Sequence, residues 1–345
     1  METTSVVIVT HQSGPFIGSV LDALAEDEHG PDEVIVVDSA SSDGTRSILA
    51  DRDVRTVLLD DNVGFAAGAH IGAEAATGSI LVFLGHDTTP ERGWLPPLVE
   101  AVGLDGVGAA MATVVDADHP DRFNTSGGHL TFVGLAWLSG LGDPVPGDEP
   151  DLIEVAFPSG AAMAIRADTW SRFDGFRRSL FMYLEDTDLG WRMRLAGLRV
   201  VRSSRSRVRH VYDFSRTPAK MYYLERNRWV LVCTNYRAAT LVVLSPALVL
   251  ADLGVWFVAI RDGWVRQKMR ANIDAFRTRK EWRHDRALVD SNRAIGDAEM
   301  LATLDGGVST VRQIDAPRGS RTVDAVLGGY LRLAIRLVRL LERTT

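Results

Sequence analysis

Three features of the sequence predict an α/β fold with a mostly parallel sheet flanked by helices and a helical extension at the C-terminal end. Short β-branched runs alternate with helical stretches over the first hundred positions. Those runs are continuously apolar, as in strands covered on both faces, where an exposed sheet face would alternate. Beyond Pro218 the spacing becomes that of long helices and the charge reverses, from net −15 up to Thr217 to net +8 after it, within −7 for the 345 residues. The expected organisation is therefore a front domain over 1–217 and a basic, apolar helical extension over 218–345.

The expected strands are Val6 to Val9, Val34 to Val37, Val54 to Leu59 and Ile80 to Leu84, with helices over Phe16 to Ala25, Thr45 to Ala50 and Phe65 to Ala76. Right-handed crossovers make the strands of such a βαβ series parallel. Residues 103–152, rich in Gly, Pro and Asp, read as loops and short strands over the sheet. Regular pattern resumes at Ile153 to Phe157 and Ser159 to Arg166; Asp168 then reads as the N-cap of a short helix that Asp174-Gly175 ends. Leu241 to Ile260 approaches the length of a membrane span, but Pro246 and Asp252 near its middle argue against spanning. In the last stretch Arg332, Arg336, Arg339 and Arg343 share one helix face and Leu and Ile the other, the form of a helix lying on anionic lipid. The alternative is that both apolar segments pack on the front domain or in a homodimer.

Several classes are disfavoured. A single cysteine, Cys233, makes no internal disulfide and no multi-cysteine zinc site, and it suits a reducing cytosol. The net negative charge argues against nucleic acid as a partner. The N-terminus has no basic region, and its apolar run is too short for a signal peptide.

Ligands of parallel α/β sheets bind beyond the carboxyl ends of the strands, which singles out Thr10 to Ser13, Asp38 to Gly44, Asp60 to Gly64 and Gly85-His86-Asp87. The first of these lacks Gly-x-Gly-x-x-Gly, and Gly64, Gly68 and Gly72 recur every four residues as a close-packing face, so a dinucleotide-binding domain is disfavoured. Further along, Glu185, Asp186 and Asp188 open a helix after Phe181-Met182-Tyr183. One carboxylate caps a helix, so three in four positions point to a site.

The ordered motifs Val36-Val37-Asp38-Ser39-Ala40-Ser41-Ser42-Asp43-Gly44, Asn62-Val63-Gly64-Phe65-Ala66-Ala67-Gly68, Gly85-His86-Asp87 and Leu184-Glu185-Asp186-Thr187-Asp188-Leu189-Gly190-Trp191-Arg192 resemble glycosyltransferase family 2 over about residues 4–230, in its rhamnosyltransferase-like branch. The resemblance implies a GT-A fold with a Rossmann-like nucleotide-binding half. It also implies inverting transfer of one sugar from a nucleotide-diphosphate sugar, dTDP- or UDP-linked, to a lipid-linked or polysaccharide acceptor of the cell envelope. It makes Asp186 the general base, with Asp188 as fallback and Glu185 orienting the acceptor or capping the helix. Thr10, Gln12, Asp38 and Ser41 become the base-binding wall. Asn62, Gly64 and Gly68 border the nucleoside, with Asp61 as the alternative to Asn62.

By the same resemblance Asp87, with His210, holds Mg²⁺ or Mn²⁺, hard cations suited to oxygen ligands and phosphates. Gly85 stands where a second acid is usual, and His86 either touches phosphate or caps the strand end. Ser159, Gly160, Trp191, Arg209, Arg226 and Arg228 are placed at the acceptor or its phosphate, and Arg207 near phosphate; the two arginines at 226 and 228 have the alternative of pairing with acids of the front domain. Glu225-x-x-Arg228-Trp229 is similar to a processive-synthase signature, but its leading Gln is absent, so transfer is read as non-processive. With the basic tail, these implications place the protein in the cytoplasm, peripheral on the inner face of the cell membrane. The departure at Gly85-His86 motivates a competing reading, a catalytically silent nucleotide-sugar-binding scaffold. A nucleotidyltransferase is disfavoured because no Gly-rich, Lys-containing phosphate loop is present near the N-terminus.

Overall fold

A computed structural model describes residues 2–211, 217–307 and 320–343, with side chains from 324 in the last segment. In chain order the elements are β1 (Thr4–Thr10), α1 (Gly14–Glu26), β2 (Glu33–Ser39), α2 (Thr45–Ala50), β3 (Arg55–Leu59), α3 (Gly64–Ala75), β4 (Ile80–Gly85), β5 (Thr88–Pro90), α4 (Leu95–Val102) and β6 (Val107–Asp116). There follow β7 (Phe123–Thr125), β8 (Gly128–Leu130), β9 (Ala136–Leu138), β10 (Leu152–Glu154), β11 (Ala162–Arg166), α5 (Ala167–Arg172), α6 (Glu185–Leu195) and β12 (Arg199–His210). The helical part comprises α7 (Pro218–Asn235), α8 (Ala238–Arg261), α9 (Val265–Arg277), α10 (Trp282–Asn292), α11 (Asp297–Leu301) and α12 (Ser320–Glu342).

The main sheet runs β10-β12-β6-β11-β4-β1-β2-β3, with β5 on β12 and β7 on β6. The β-branched runs make β1, β2, β3 and β4 a parallel block. Their side chains, among them Val6, Ile8, Val36, Val82 and Leu84, pack with Ile17, Leu21 and Leu98 into one buried core. Close approach of α3 to the sheet depends on its small residues: a Cβ on Gly68 would lie 2.6 Å from a Val9 methyl, and one on Gly72 2.2 Å from Val7.

Residues 103–152 do not only cover the sheet. They contain β6, ten residues long and buried in the middle of the sheet, parallel to β12 and antiparallel to β11. Its Gly-Ala-Ala-Met-Ala sequence carries little of the β-branched signal; at Gly108 a Cβ would lie 3.1 Å from Leu198 Cβ and from Met193 Sδ, which leaves little room for a side chain there. Asp168 lies in the first turn of α5 and not at its cap, which is Arg166. The strand expected over 153–157 is confined to β10.

The chain divides into two compact units: Met1–Gly128 with Leu138–Met193 and Leu198–Phe214, and His129–Trp137 with Arg194–Gly197 and Ser215–Thr345. The second is mainly α7 to α12. Its centre holds buried charge: Lys268 Nζ donates to Glu225 at 2.5 Å and to Asp252 at 2.5 Å, and Arg228 donates to Glu225 and, at 3.2 Å, to Asp252. Arg228 also donates to the Val133 carbonyl. This commits Arg228 to the interior of its own unit, so its expected contact with acceptor phosphate, and the alternative pairing with acids of the front domain, are both corrected. Arg226 sits beside it on α7, 9% exposed and donating to Asn227.

Candidate active site

The carboxyl ends of β1, β2 and β4, with the loop before α6, bring most of the expected residues together. Asp38 ends β2 fully buried and accepts from Thr10 Oγ1 at 3.0 Å, Ser41 N–H at 3.1 Å and Arg46 Nε at 2.7 Å. Burial works to raise its pKa, but the Ser41 and Arg46 hydrogen bonds outweigh that and hold the carboxyl below its ordinary range. Arg46 also donates to the Leu59 carbonyl, tying β2 and β3 at the ligand-facing end. The sequence reading passed over Arg46; its signal is a lone cation in the first turn of the helix after Asp38.

Gln12 has a left-handed backbone, φ 56°. Its N–H donates to Ser41 Oγ, and its side-chain oxygen accepts from the Ser42 and Asp43 N–H groups. It therefore staples the end of β1 to the β2–α2 loop and forms the rim of the wall made by Thr10, Asp38 and Ser41. Asn62 accepts from Gly64 N–H at 2.9 Å, turning the chain into α3, while Asp61 is exposed. Gly68 is corrected: its place is the packed α3–β1 contact and not the nucleoside border.

Gly64 has φ +77°, and a Cβ there would lie 2.5 Å from the Phe181 carbonyl oxygen, which also accepts from Ala66 N–H at 3.0 Å. Phe181 itself has φ 65° and ψ −64°, with Met182 N–H donating to the Leu180 carbonyl at 2.8 Å, a strained γ-turn. Tyr183 and Leu184 continue at φ 67° and 66°. Three left-handed non-glycine residues in four are costly and are held only by their surroundings. They deliver Glu185 and Asp186 to the start of α6.

Asp186 is half-buried and accepts from Gly160 N–H at 3.0 Å and Thr187 N–H at 2.6 Å. Burial raises its pKa despite those donors, which brings it toward the range of a useful base. Glu185, 6% exposed, has its Oε2 without a partner among the described residues. Burial, then the neighbouring Asp186 and Asp188 charges, push its pKa up to about 8, so at neutral pH it carries its proton. Asp188 is different: fully buried, it accepts from Arg177 Nε at 2.9 Å and Arg192 Nε at 2.7 Å. A carboxylate held by two guanidiniums is no proton acceptor, so the fallback base is corrected to a structural anchor. Trp191, fully buried in α6, is likewise core and not an acceptor contact.

Beside Gly160, the Ala161 carbonyl accepts from Gly85 N–H at 2.8 Å, which links the acidic helix to the end of β4. Ser159 shapes that turn through its hydroxyl, which accepts from Ala161 N–H at 3.3 Å. A Cβ on Gly85 would lie 2.6 Å from Thr88 Oγ1 and 2.9 Å from Asp87 Oδ1, so this tight turn has no room for a second acid. Asp87 Oδ1 lies 3.3 Å from His210 Nε2 and 3.7 Å from His86 Nδ1. Burial works to raise Asp87, and the His210 hydrogen bond and charge outweigh it and keep the carboxyl low; burial lowers His86. Arg209 and Arg207 both turn to Glu91, at 2.9 and 3.3 Å, which ties them to a surface carboxylate instead of leaving them for phosphate.

The donor set suits a divalent cation. His210 Nδ1 is 3.2 Å from Asn124 Oδ1 and Nε2 is 3.3 Å from Asp87 Oδ1: the Nε2–H tautomer donates to the carboxylate, and the Nδ1–H tautomer, donating to Asn124, leaves the Nε2 lone pair for a cation shared with Asp87. Asn124 is 1% exposed and its Nδ2 has no partner among the described residues, a polar wall behind the pair. No group of three or more His, Cys, Asp or Glu gathers among the described residues, so a cation at Asp87 and His210 needs oxygens from its substrate to complete its shell. Asn124, inside the stretch that reads as loops, had no motif to announce it.

Residues 5–170 match the family model described as "Glycosyl transferase family 2". An N-acetylglucosaminyl-diphospho-decaprenol L-rhamnosyltransferase of Mycobacterium tuberculosis is 26% identical over 247 residues, 62% of this chain and 78% of that protein. The glycosyltransferase AglE of Haloferax volcanii is 31% identical over 110 residues, 30% of this chain and 36% of that protein. Among solved structures, GalNAc-T7 with UDP, GalNAc and Mn²⁺ superposes with a TM-score of 0.54 at 15% identity, covering 71% of this chain. The chain spans about half, 51%, of that structure's length.

Proposed function

Over residues 5–170 the chain belongs to glycosyltransferase family 2, and from that premise we propose that it moves one sugar, with inversion, from a nucleotide-diphosphate sugar to a hydroxyl of a lipid-linked or cell-envelope saccharide. The similarity to the mycobacterial rhamnosyltransferase favours a dTDP-rhamnose donor over other dTDP- or UDP-sugars. The observation that carries the reading is the half-buried Asp186, its pKa raised, held by the Gly160 N–H at the mouth of the strand-end wall.

Asp186 takes the proton of the acceptor hydroxyl as that oxygen bonds to the anomeric carbon. The bond from the anomeric carbon to the diphosphate breaks with its electron pair, and the nucleoside diphosphate leaves from the face opposite to attack, which inverts the centre. Glu185, protonated beside it, adds no second negative charge and can donate a hydrogen bond to the acceptor. Thr10, Gln12, Asp38 and Ser41 form the wall that receives the base, with Asn62 and Gly64 at the sugar of the nucleoside. Asp87 and His210 would hold Mg²⁺ or Mn²⁺, which when bound supplies positive charge against the diphosphate. The acceptor class proposed here and the basic character of the helical unit support a peripheral position on the inner face of the cell membrane.

The test is Asp186→Asn. Sugar transfer from donor to a membrane-extracted acceptor should fall by about 10³-fold or more while donor binding by calorimetry stays within a fewfold. Full transfer by the variant would remove Asp186 as the base.

A further inference from the structure

We infer that the second unit carries a membrane-contact face in which α8 lies flat in the interface of an anionic bilayer as the centre of a three-helix surface; this deepens the peripheral-membrane reading, on which it rests, and moves the main contact away from the terminal helix. Among the described residues, all exposed large hydrophobic side chains except Leu58, Leu104 and Val211 lie on α8, α9 and α12. Soluble surfaces scatter such side chains, and a contiguous set marks a contact.

Helix α8 is divided lengthwise. Thr240, Leu244, Ala247, Leu248 and Ala259 are buried, and Asp252 is held by Lys268 and Arg228. The opposite face is bare: Val242 is 73% exposed, Leu253 60%, Phe257 66% and Ile260 66%, with Val249 and Leu250 between them. Among the described residues α8 alone is long and apolar enough to cross a bilayer. Crossing would carry the Lys268–Glu225–Asp252 network into hydrocarbon, where unscreened charge is costly. Lying flat keeps that network in the protein and buries only the bare face.

Helices α9 and α12, both packed on α8, extend the face. On α9, Lys268 reaches Asp252 of α8 and stands over the Trp256 ring at 5.6 Å. The exposed Val265, Met269, Ile273 and Phe276 run beside that contact. Arg266, Arg270 and Arg277 form the next stripe outward, with Arg270 over Tyr222 of α7 at 5.2 Å, on the side away from α8. On α12, Tyr330 donates to the Val243 carbonyl of α8, and Glu342 accepts from Asp297 N–H of α11. At helical spacing the exposed Leu333, Leu337 and Leu340 fall on the Tyr330 side of the helix, and Arg332, Arg336 and Arg339, with Arg343 just past its end, on the Glu342 side. The expected two-faced terminal helix is thus three-faced, because Leu327, Leu331, Ala334 and Val338 pack into its own unit.

An apolar centre edged on both sides by arginines matches a surface of acyl chains beneath anionic headgroups. A second copy of the same face would set arginine against arginine, which disfavours self-association as the occupant.

The test uses the full chain with vesicles of phosphatidylcholine containing one quarter phosphatidylglycerol, against pure phosphatidylcholine. Binding by co-sedimentation should require the anionic lipid. The pair Leu253→Asp/Phe257→Asp, both at exposed positions, should weaken binding at least tenfold, and replacing Arg332, Arg336, Arg339 and Arg343 by Gln should remove the anionic preference. Far-UV circular dichroism and the urea midpoint should stay unchanged in both variants, which shows that the helical unit folds. Unchanged binding by the α8 variant together with loss in the α12 variant would overturn this proposal and leave the terminal helix as anchor. Failure of the native chain to bind, or full binding by both variants, would overturn both readings. A native dimer that the α8 variant converts to a monomer, without vesicle binding by either, would assign the face to a second copy.

Discussion

Replacing Glu185 by a side chain that cannot ionise should stabilise the protein relative to the native chain, and increasingly so as pH rises. The carboxyl is buried beside two others, and its pKa is raised from the ordinary 4.5 to about 8. In the unfolded chain it loses its proton near the ordinary value, so between those two pH values the unfolded state binds fewer protons than the folded one. Stability contributed by the protonated form is present below the ordinary value and is lost as pH rises toward the folded one. With roughly 1.4 kcal/mol per tenfold change in proton affinity, the loss between pH 5 and pH 8 is about 3 kcal/mol. Glu185→Gln keeps the shape of the protonated side chain and removes the ionisation, so it should escape this loss. The assay is urea denaturation of both proteins at pH 5, 6, 7 and 8, read as the difference in unfolding free energy. That difference should widen steadily with pH in favour of the variant. In an Asp186→Asn background the widening should shrink, because the Asp186 charge is the second cause of the shift. A difference that stays flat from pH 5 to 8 would refute the buried, proton-retaining Glu185.

Two further substitutions test separate parts of the fold. Gly64→Ala places a Cβ 2.5 Å from the Phe181 carbonyl on a backbone at φ +77°; the left-handed backbone alone costs about 1–2 kcal/mol, so denaturation should show at least that loss, with weaker donor binding in calorimetry. Lys268→Met leaves Arg228 as the one cation facing both Glu225 and Asp252 among the described residues, and a loss of about 3–5 kcal/mol is expected by the same assay; a change below about 1 kcal/mol would show that the network holds little of the helical unit together.

How much of this was legible in the sequence depends on whether a residue's partner is near it in the chain. The parallel block β1 to β4 was legible because each strand lies in a mostly apolar run, although β3, at the sheet edge, is partly exposed and not covered on both faces as expected. Strand β6 was not, since the middle of the sheet selects Gly, Ala and Met there, and those carry no periodicity. The carboxylates at 186 and 188 look equivalent in sequence. A step of two along a helix turns them to opposite sides, one to the Gly160 N–H and the other to Arg177 and Arg192. Nothing local announces Arg177, eleven positions away. The alternative offered for Arg228, pairing with acids, has the right chemistry in the wrong place, because Glu225 and Asp252 lie within its own unit. Asn124 was hidden for the opposite reason: its partner His210 was in view, but the strand that brings the two together lies in a stretch without pattern.

The Phe181 carbonyl receives Ala66 N–H and leaves no space for a side chain at Gly64, so the wall of the proposed donor pocket and the approach to the proposed base share one atom. Substitutions that reshape the pocket for a different sugar nucleotide therefore act on the placement of Asp186 as well. Change of donor in descendants of this chain should come from the β1 and β2 ends, where Gln12 and Ser41 can vary without touching that atom, and lineages that alter 64–66 should carry matched changes at 181–184.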